Sequence, residues 1–138
     1  MRPNELSVFK DPDGTLVPID FNNLPFTPKR IFYVTEIPKG EERGNHAHYE
    51  TQQIIICVRG EIVVKLFTYP DGPHSIEITP NQAVFIDKMV WDSQIFKTGN
   101  DVLLSICSTY YEKEDYIEDF NDFQEKARIY HEQAKRGS

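Results

Sequence analysis

Residues 42–68 read ERGNHAHYETQQIIICVRGEIVVKLFT. Two runs rich in β-branched and aromatic residues, QQIIICV and EIVVKLF, flank Arg59-Gly60. That pattern predicts two antiparallel strands joined by a tight turn, with Gly60 free to take a positive φ. Just ahead of them, His46 and His48 stand two residues apart behind Arg43 and Gly44. Residues two apart in an extended strand share a face, so both imidazoles project one way and Ala47 the other.

The same grammar extends along the chain. Turn signals recur as DPDG at 11–14, IPKGEERG at 37–44, YPDGP at 69–73 and KTGND at 97–101. Short runs such as TLVPIDF, RIFYVTEI, HSIEIT, AVFID and VLLSICSTYY lie between them. Short strands spaced by turns read as an all-β sandwich or barrel. After Tyr111 the character changes: EKEDYIEDFNDFQEKARIYHEQAKR has no glycine or proline. Ile117, Phe120, Phe123, Ala127 and Tyr130 recur at three- and four-residue spacing, which predicts an amphipathic helix covering the sheets or a partner subunit. The expected organisation is one domain over 1–138, with a barrel over about 7–111 and a C-terminal α-helix over about 113–135. His74, in a turn, and His131, near the helix end, have no companions and read as surface residues.

At 138 residues with 39% hydrophobic residues, the chain can bury a core without staples. A net charge of −7 argues against nucleic acid or an anionic membrane as the main partner, because phosphate contacts need clustered Lys and Arg. One or two local arginines would still suffice for a small anionic ligand. Cys57 and Cys107 both sit in apolar strand-like runs and read as buried, reduced thiols, as in the cytoplasm. The N-terminus has no apolar core of signal-peptide type, and no run approaches membrane-spanning length.

Imidazole titrates near neutral pH and is also the commonest metal ligand, so the histidine pair points to proton chemistry or to metal binding. Gly44, His46, His48, Gln53 and Gly60 follow the first motif of the cupin barrels, except that Gln53 stands where those proteins place a carboxylate. The second motif should bring another histidine near AVFIDKMVWDSQ, where Asp92 follows Trp91 instead. An amide balances a divalent ion poorly, so the usual ligand set is reduced. Asp92 or Glu50 would have to complete a two-histidine, one-carboxylate site.

The blocks GTLVPIDF, LPFTPKRIFYV, KGEERGNHAH, QQIIICVRGEIVV and STYYEKEDYIEDFNDF resemble the dTDP-4-keto-6-deoxyglucose 3,4-ketoisomerases, a group of metal-free cupins, over about residues 7–125. The resemblance implies a cupin (jelly-roll) β-barrel that needs no metal and no cofactor. It implies His48 as the main proton shuttle between C3 and C4 of a dTDP-linked 4-keto-6-deoxy sugar, with His46 assisting. Arg30 and Arg43 suit the pyrophosphate, since a guanidinium fork matches phosphate oxygens. Tyr33, Asn45, Gln53 and Trp91 complete the expected substrate-binding set. A homodimer with exchanged N-terminal strands is also implied. The product would feed an aminotransferase making a 3-amino-3,6-dideoxy sugar for lipopolysaccharide O-antigen or a glycosylated natural product. Three other readings stay open on residues alone: a metal-dependent cupin, a sugar-nucleotide epimerase, and a sugar-binding cupin without turnover.

Overall fold

The structure is a computed structural model that describes residues 2–137. Twelve strands and one α-helix are formed: β1 Asn4–Glu5, β2 Phe9–Asp11, β3 Gly14–Leu16, β4 Arg30–Val34, β5 Glu42–His48, β6 Gln53–Arg59, β7 Ile62–Thr68, β8 Gly72–Ile78, β9 Gln82–Ile86, β10 Trp91–Phe96, β11 Val102–Cys107, β12 Tyr116–Ile117 and α1 Phe120–Arg136. Two antiparallel five-stranded sheets face each other, ordered β1-β9-β6-β11-β4 and β12-β5-β10-β7-β8; β2 and β3 form a separate hairpin. The expected jelly-roll architecture with a C-terminal helix is present, its two sheets facing each other without closing into a barrel. β4 ends one sheet and β12 the other.

Period-2 alternation fills the space between the sheets. Ile55 and Cys57 of β6, Ile62, Val64 and Leu66 of β7, and Val84 and Ile86 of β9 join Ile78, Phe96 and Leu103 in one buried cluster. The unbroken IIIC run of β6 has a separate explanation. Ile56 faces outward with Ala83 and Ile106, and Leu6, Ile19, Leu24 and Phe26 of the N-terminal segment cover them. A sheet buried on both faces cannot alternate. The turn at Gly60 has φ +91°, and a Cβ there would stand 2.1 Å from the Asp101 carboxylate, so only glycine fits. Cys57 and Cys107 are buried free thiols.

The helix begins later than its periodicity predicts. Asp119 caps it, its carboxylate accepting from the Asp122 N–H at 2.8 Å. The preceding residues are held elsewhere by Asp115, whose carboxylate accepts from the N–H of Glu50 (2.7 Å) and Thr51 (3.2 Å) and from the Thr51 hydroxyl. Tyr116 and Ile117 then pair with His48 and Ala47 as β12. Ile117 matched a helical period because it is buried in the same cluster as Phe123 and Ala127, although it belongs to a strand. His74 lies in β8 opposite Leu66 rather than in a turn. His131 is half-buried, stacked on Tyr69 with centroids 6.1 Å apart.

Candidate active site

The site lies between the sheets, and a β-bulge sets its contents. Across β5 and β10, Asp92 pairs with His46, Ser93 with Gly44 and Gln94 with Arg43, so Asn45 is an extra residue on β5. Gly44 at φ +94° and Asn45 at φ +61° absorb the insertion in left-handed backbone. A Cβ on Gly44 would meet Ser93 Cα at 3.1 Å. The bulge shifts the side-chain phase. Arg43, three residues before His46, would face away in a regular strand; here it lines the same cavity as His46.

That cavity has a volume of about 130 Å³. Arg43, His46, Asp92 and Gln94 line it from one sheet, and Phe32, Val34, Gln53, Ile55 and Leu103 from the other. Gln53 is buried, and its Oε1 accepts from the Ser105 hydroxyl at 3.0 Å, which turns its NH₂ group toward the cavity. Asp92 is wholly buried; Oδ1 accepts from Gln94 Nε2 at 2.5 Å, and Oδ2 has no hydrogen-bond partner. Burial pushes its carboxyl up to about 7, against the hydrogen bond from Gln94.

His46 and His48 stand edge to face with centroids 5.0 Å apart, and Tyr116 packs against both, at 5.1 and 4.5 Å. Burial lowers the pKa of each imidazole. For His48 the fall reaches about 4: burial acts first, then the charges of His46 and Arg30, while Asp115 opposes them. Both rings are thus neutral at pH 7 and present a lone pair. Arg30, the first residue of β4, stands near enough for its charge to act on His48. Its guanidinium lies 5.6 Å from the Tyr111 ring centroid, and its Nε is buried without a hydrogen-bond partner.

The expected residues divide accordingly. His46, His48 and Gln53 come together, with Arg43 and Arg30 beside them. Tyr33 does not join them: β4 is regular, and the side chain is 71% exposed on the other face. Asn45 and Trp91 line a separate hollow of about 240 Å³ on the outer face of the sheet, beside Phe67 and Phe120. Trp91 packs against Phe120 and Phe123 of α1 at 5.2 and 5.6 Å. Tyr116 had no signal of its own as a site residue, because only its pairing with His48 brings it there. Glu50 is exposed, whereas Asp92 does join the histidines. One ligand atom each of His46, His48 and Asp92 lies within 4.8 Å of the others, so these three could hold a metal ion.

The family model of FdtA, described as WxcM-like, C-terminal, matches residues 1–128. This chain belongs to that family. Within 118 aligned residues it is 33% identical to a TDP-4-oxo-6-deoxy-α-D-glucose-3,4-oxoisomerase of Aneurinibacillus thermoaerophilus, covering 83% of each chain. A sugar 3,4-ketoisomerase of Thermoanaerobacterium thermosaccharolyticum, solved with TDP, superposes with TM-score 0.85 at 31% identity, over 91% of this chain and 92% of its own. A 3,4-ketoisomerase of Helicobacter canadensis gives TM-score 0.85 at 27% identity, over 92% and 96%. The Thermoanaerobacterium enzyme has also been solved as a histidine-to-asparagine variant holding TDP-4-keto-6-deoxyglucose. These relatives of the FdtA-like chain are named as isomerases. In the chain itself, no helix among the described residues is long and apolar enough to cross a membrane.

Proposed function

We propose that this chain is a 3,4-ketoisomerase of a TDP-linked 4-keto-6-deoxyhexose, moving the ketone from C4 to C3 by proton transfer through His46 and His48. The carrying observation is the pair of neutral, touching imidazoles at a cavity that also holds amide and guanidinium donors. An imidazole takes the C3 proton, leaving an enediolate whose charge lies on O4. The O3 hydroxyl proton is released as C3 becomes the carbonyl, and C4 and O4 each gain a proton. Atoms and electrons balance within the sugar, so no electron carrier is needed. The Gln53 NH₂ and the Arg43 guanidinium are the donors that stabilise the oxyanion.

The cavity is smaller than the roughly 300 Å³ at which ligand pockets usually begin, so only the reacting end of the sugar enters it. The pyrophosphate then lies at the mouth, where Arg30 and Arg43 meet it. The resemblance makes His48 the principal shuttle. In reach, His46 is the ring on the cavity wall, and His48 stands behind it at 4% exposure. We therefore assign the transfer to the pair and leave Tyr33, Asn45 and Trp91 out of the sugar contacts within one subunit. A homodimer belongs to the proposal. Phe9 and Leu16 pair across the β2–β3 hairpin, each 61% exposed, and form an apolar arm that an exchanged N-terminal segment would bury on a second copy. Light scattering of the purified protein should return twice the chain mass.

Incubating chelator-treated protein with TDP-4-keto-6-deoxyglucose and following the sugar by NMR tests the activity. A 3-keto product supports it, and the coupling constants at C4 assign the gluco or galacto configuration. An unchanged substrate spectrum would leave a sugar-nucleotide binder as the better reading.

A further inference from the structure

We infer that Tyr116 is a positioning residue: its ring fixes the orientation of the His46 and His48 imidazoles, and the Asp115 carboxylate latches it in place. The inference rests on the isomerase reading above. Three rings form a closed triangle. His46 and His48 lie 5.0 Å apart at an interplanar angle of 77°, His46 and Tyr116 5.1 Å apart at 81°, and His48 and Tyr116 4.5 Å apart at 58°. Edge-to-face contacts of this kind favour one mutual arrangement of rings over others.

The need for such a support follows from how the imidazoles are held. A histidine that moves protons is ordinarily oriented by a hydrogen bond at its second ring nitrogen. Among the described residues no protein group hydrogen-bonds either ring; burial and nearby charges are what act on them. Packing is then what keeps the rings from turning. A nitrogen that must serve both C3 and C4 loses rate when its ring swings away.

Tyr116 is itself held more firmly than pairing over two residues would achieve. In β12, Tyr116 pairs with His48 and Ile117 with Ala47. Ile117 is buried in the cluster with Phe123 and Ala127. One residue before Tyr116, the Asp115 carboxylate accepts from the N–H groups of Glu50 (2.7 Å) and Thr51 (3.2 Å) and from the Thr51 hydroxyl. That hydroxyl also meets the Thr109 hydroxyl at 2.6 Å, and the Asp115 carbonyl accepts from the Tyr49 N–H at 3.0 Å. The segment that follows His48 thus closes onto Asp115, and this clasp fixes where the Tyr116 ring stands.

The test compares Tyr116→Phe, which keeps the ring, with Tyr116→Leu, which removes it, in full-length protein labelled with nitrogen-15 at histidine. With TDP-4-keto-6-deoxyglucose, kcat should stay within about threefold of wild type in Tyr116→Phe and fall at least about a hundredfold in Tyr116→Leu, with KM and TDP affinity changed by less than about threefold. Without sugar, the His46 and His48 ring signals should be single and narrow in wild type and Tyr116→Phe, and broadened or doubled in Tyr116→Leu. Should Tyr116→Leu unfold, as judged by circular dichroism, Asp115→Asn loosens the clasp instead and should lower kcat at least about tenfold with the same broadening. Wild-type kcat or narrow ring signals in the folded variant would each overturn the inference. So would a Tyr116→Phe as slow as Tyr116→Leu, or a loss of TDP affinity parallel to that of kcat. Ring signals that respond as expected in a protein whose wild type converts no sugar would keep the positioning role and discard the isomerase.

Discussion

Alternate residues of β5 and β10 build two unlike surfaces. On the outer face, Ala47 is fully buried beneath α1, and Phe67 and Trp91 meet Phe120 edge to face with Phe123 packed against all three. On the inner face, Arg43, His46, Asp92 and Gln94 surround a cavity, and one carboxylate oxygen goes unpaired. The outer face beneath α1 is packed by aromatic and apolar side chains, with Glu42, Lys65 and His74 lining the hollow beside them. The inner face holds buried polar groups at a cost in stability, as the proposed proton transfer would require. On the proposed function, stability and chemistry are divided between two sides of the same pair of strands, one residue apart.

Substitutions on the two faces should fail in different ways. On the inner face, His48→Asn and His46→Asn should each lower turnover by about a thousandfold while TDP binding and thermal stability stay near wild type. Equal turnover in either variant would remove that ring from the proton path. On the outer face, Phe123→Ala should cost about 4 kcal/mol in urea unfolding, because a fully buried ring leaves a cavity, while kcat of the folded fraction holds. A stable variant with lost kcat would show that the two faces are not separable.

The pH response sharpens the comparison further. His48 has a folded pKa near 4 against an ordinary 6.5, so the unfolded chain binds the extra proton between those values. Stability is therefore lost as pH falls from about 6.5 toward 4, by about 3 kcal/mol at one pKa unit per 1.4 kcal/mol. Asp92 acts with the opposite sign. Its carboxyl is raised from 3.8 to about 7, so the folded chain holds the proton in that window and stability is lost as pH rises. Asp92→Asn should unmask the histidine, and its melting temperature should fall more steeply than wild type from pH 7 to 4.5. Parallel slopes would contradict this pairing of signs. In chelated protein the acidic limb of kcat/KM should also lie well below pH 6.5. The smallest expected effect belongs to the rim: Arg43→Ala should weaken TDP binding by about tenfold in calorimetry, as loss of one charge-assisted contact.

Much of this division was legible in the sequence. The two-residue spacing placed His46 and His48 on one face and Ala47 on the other, and the apolar period after Tyr111 identified the element that covers Ala47. What was not legible depends on pairing between distant segments. Arg43 points inward only because Asn45 is bulged out, and a regular strand would have sent it to solvent. Tyr116 reaches the histidines through β12, whose position is set by Asp115 holding the turn at Glu50 and Thr51. The same tether explains why periodicity overextended the helix to residue 113. Trp91, expected among the substrate contacts, is placed under α1 by the parity of β10. Asp92, one residue on, takes the opposite parity and faces the histidines.

The central claim, proton transfer by the inner-face imidazoles, is tested most directly by running the reaction to equilibrium in deuterated water with chelator present. The account predicts deuterium at C4 of the 3-keto product and, through the reverse reaction, at C3 of recovered substrate. Protium retained at both carbons after prolonged incubation at equilibrium, together with undiminished turnover in His46→Asn and His48→Asn, would contradict it.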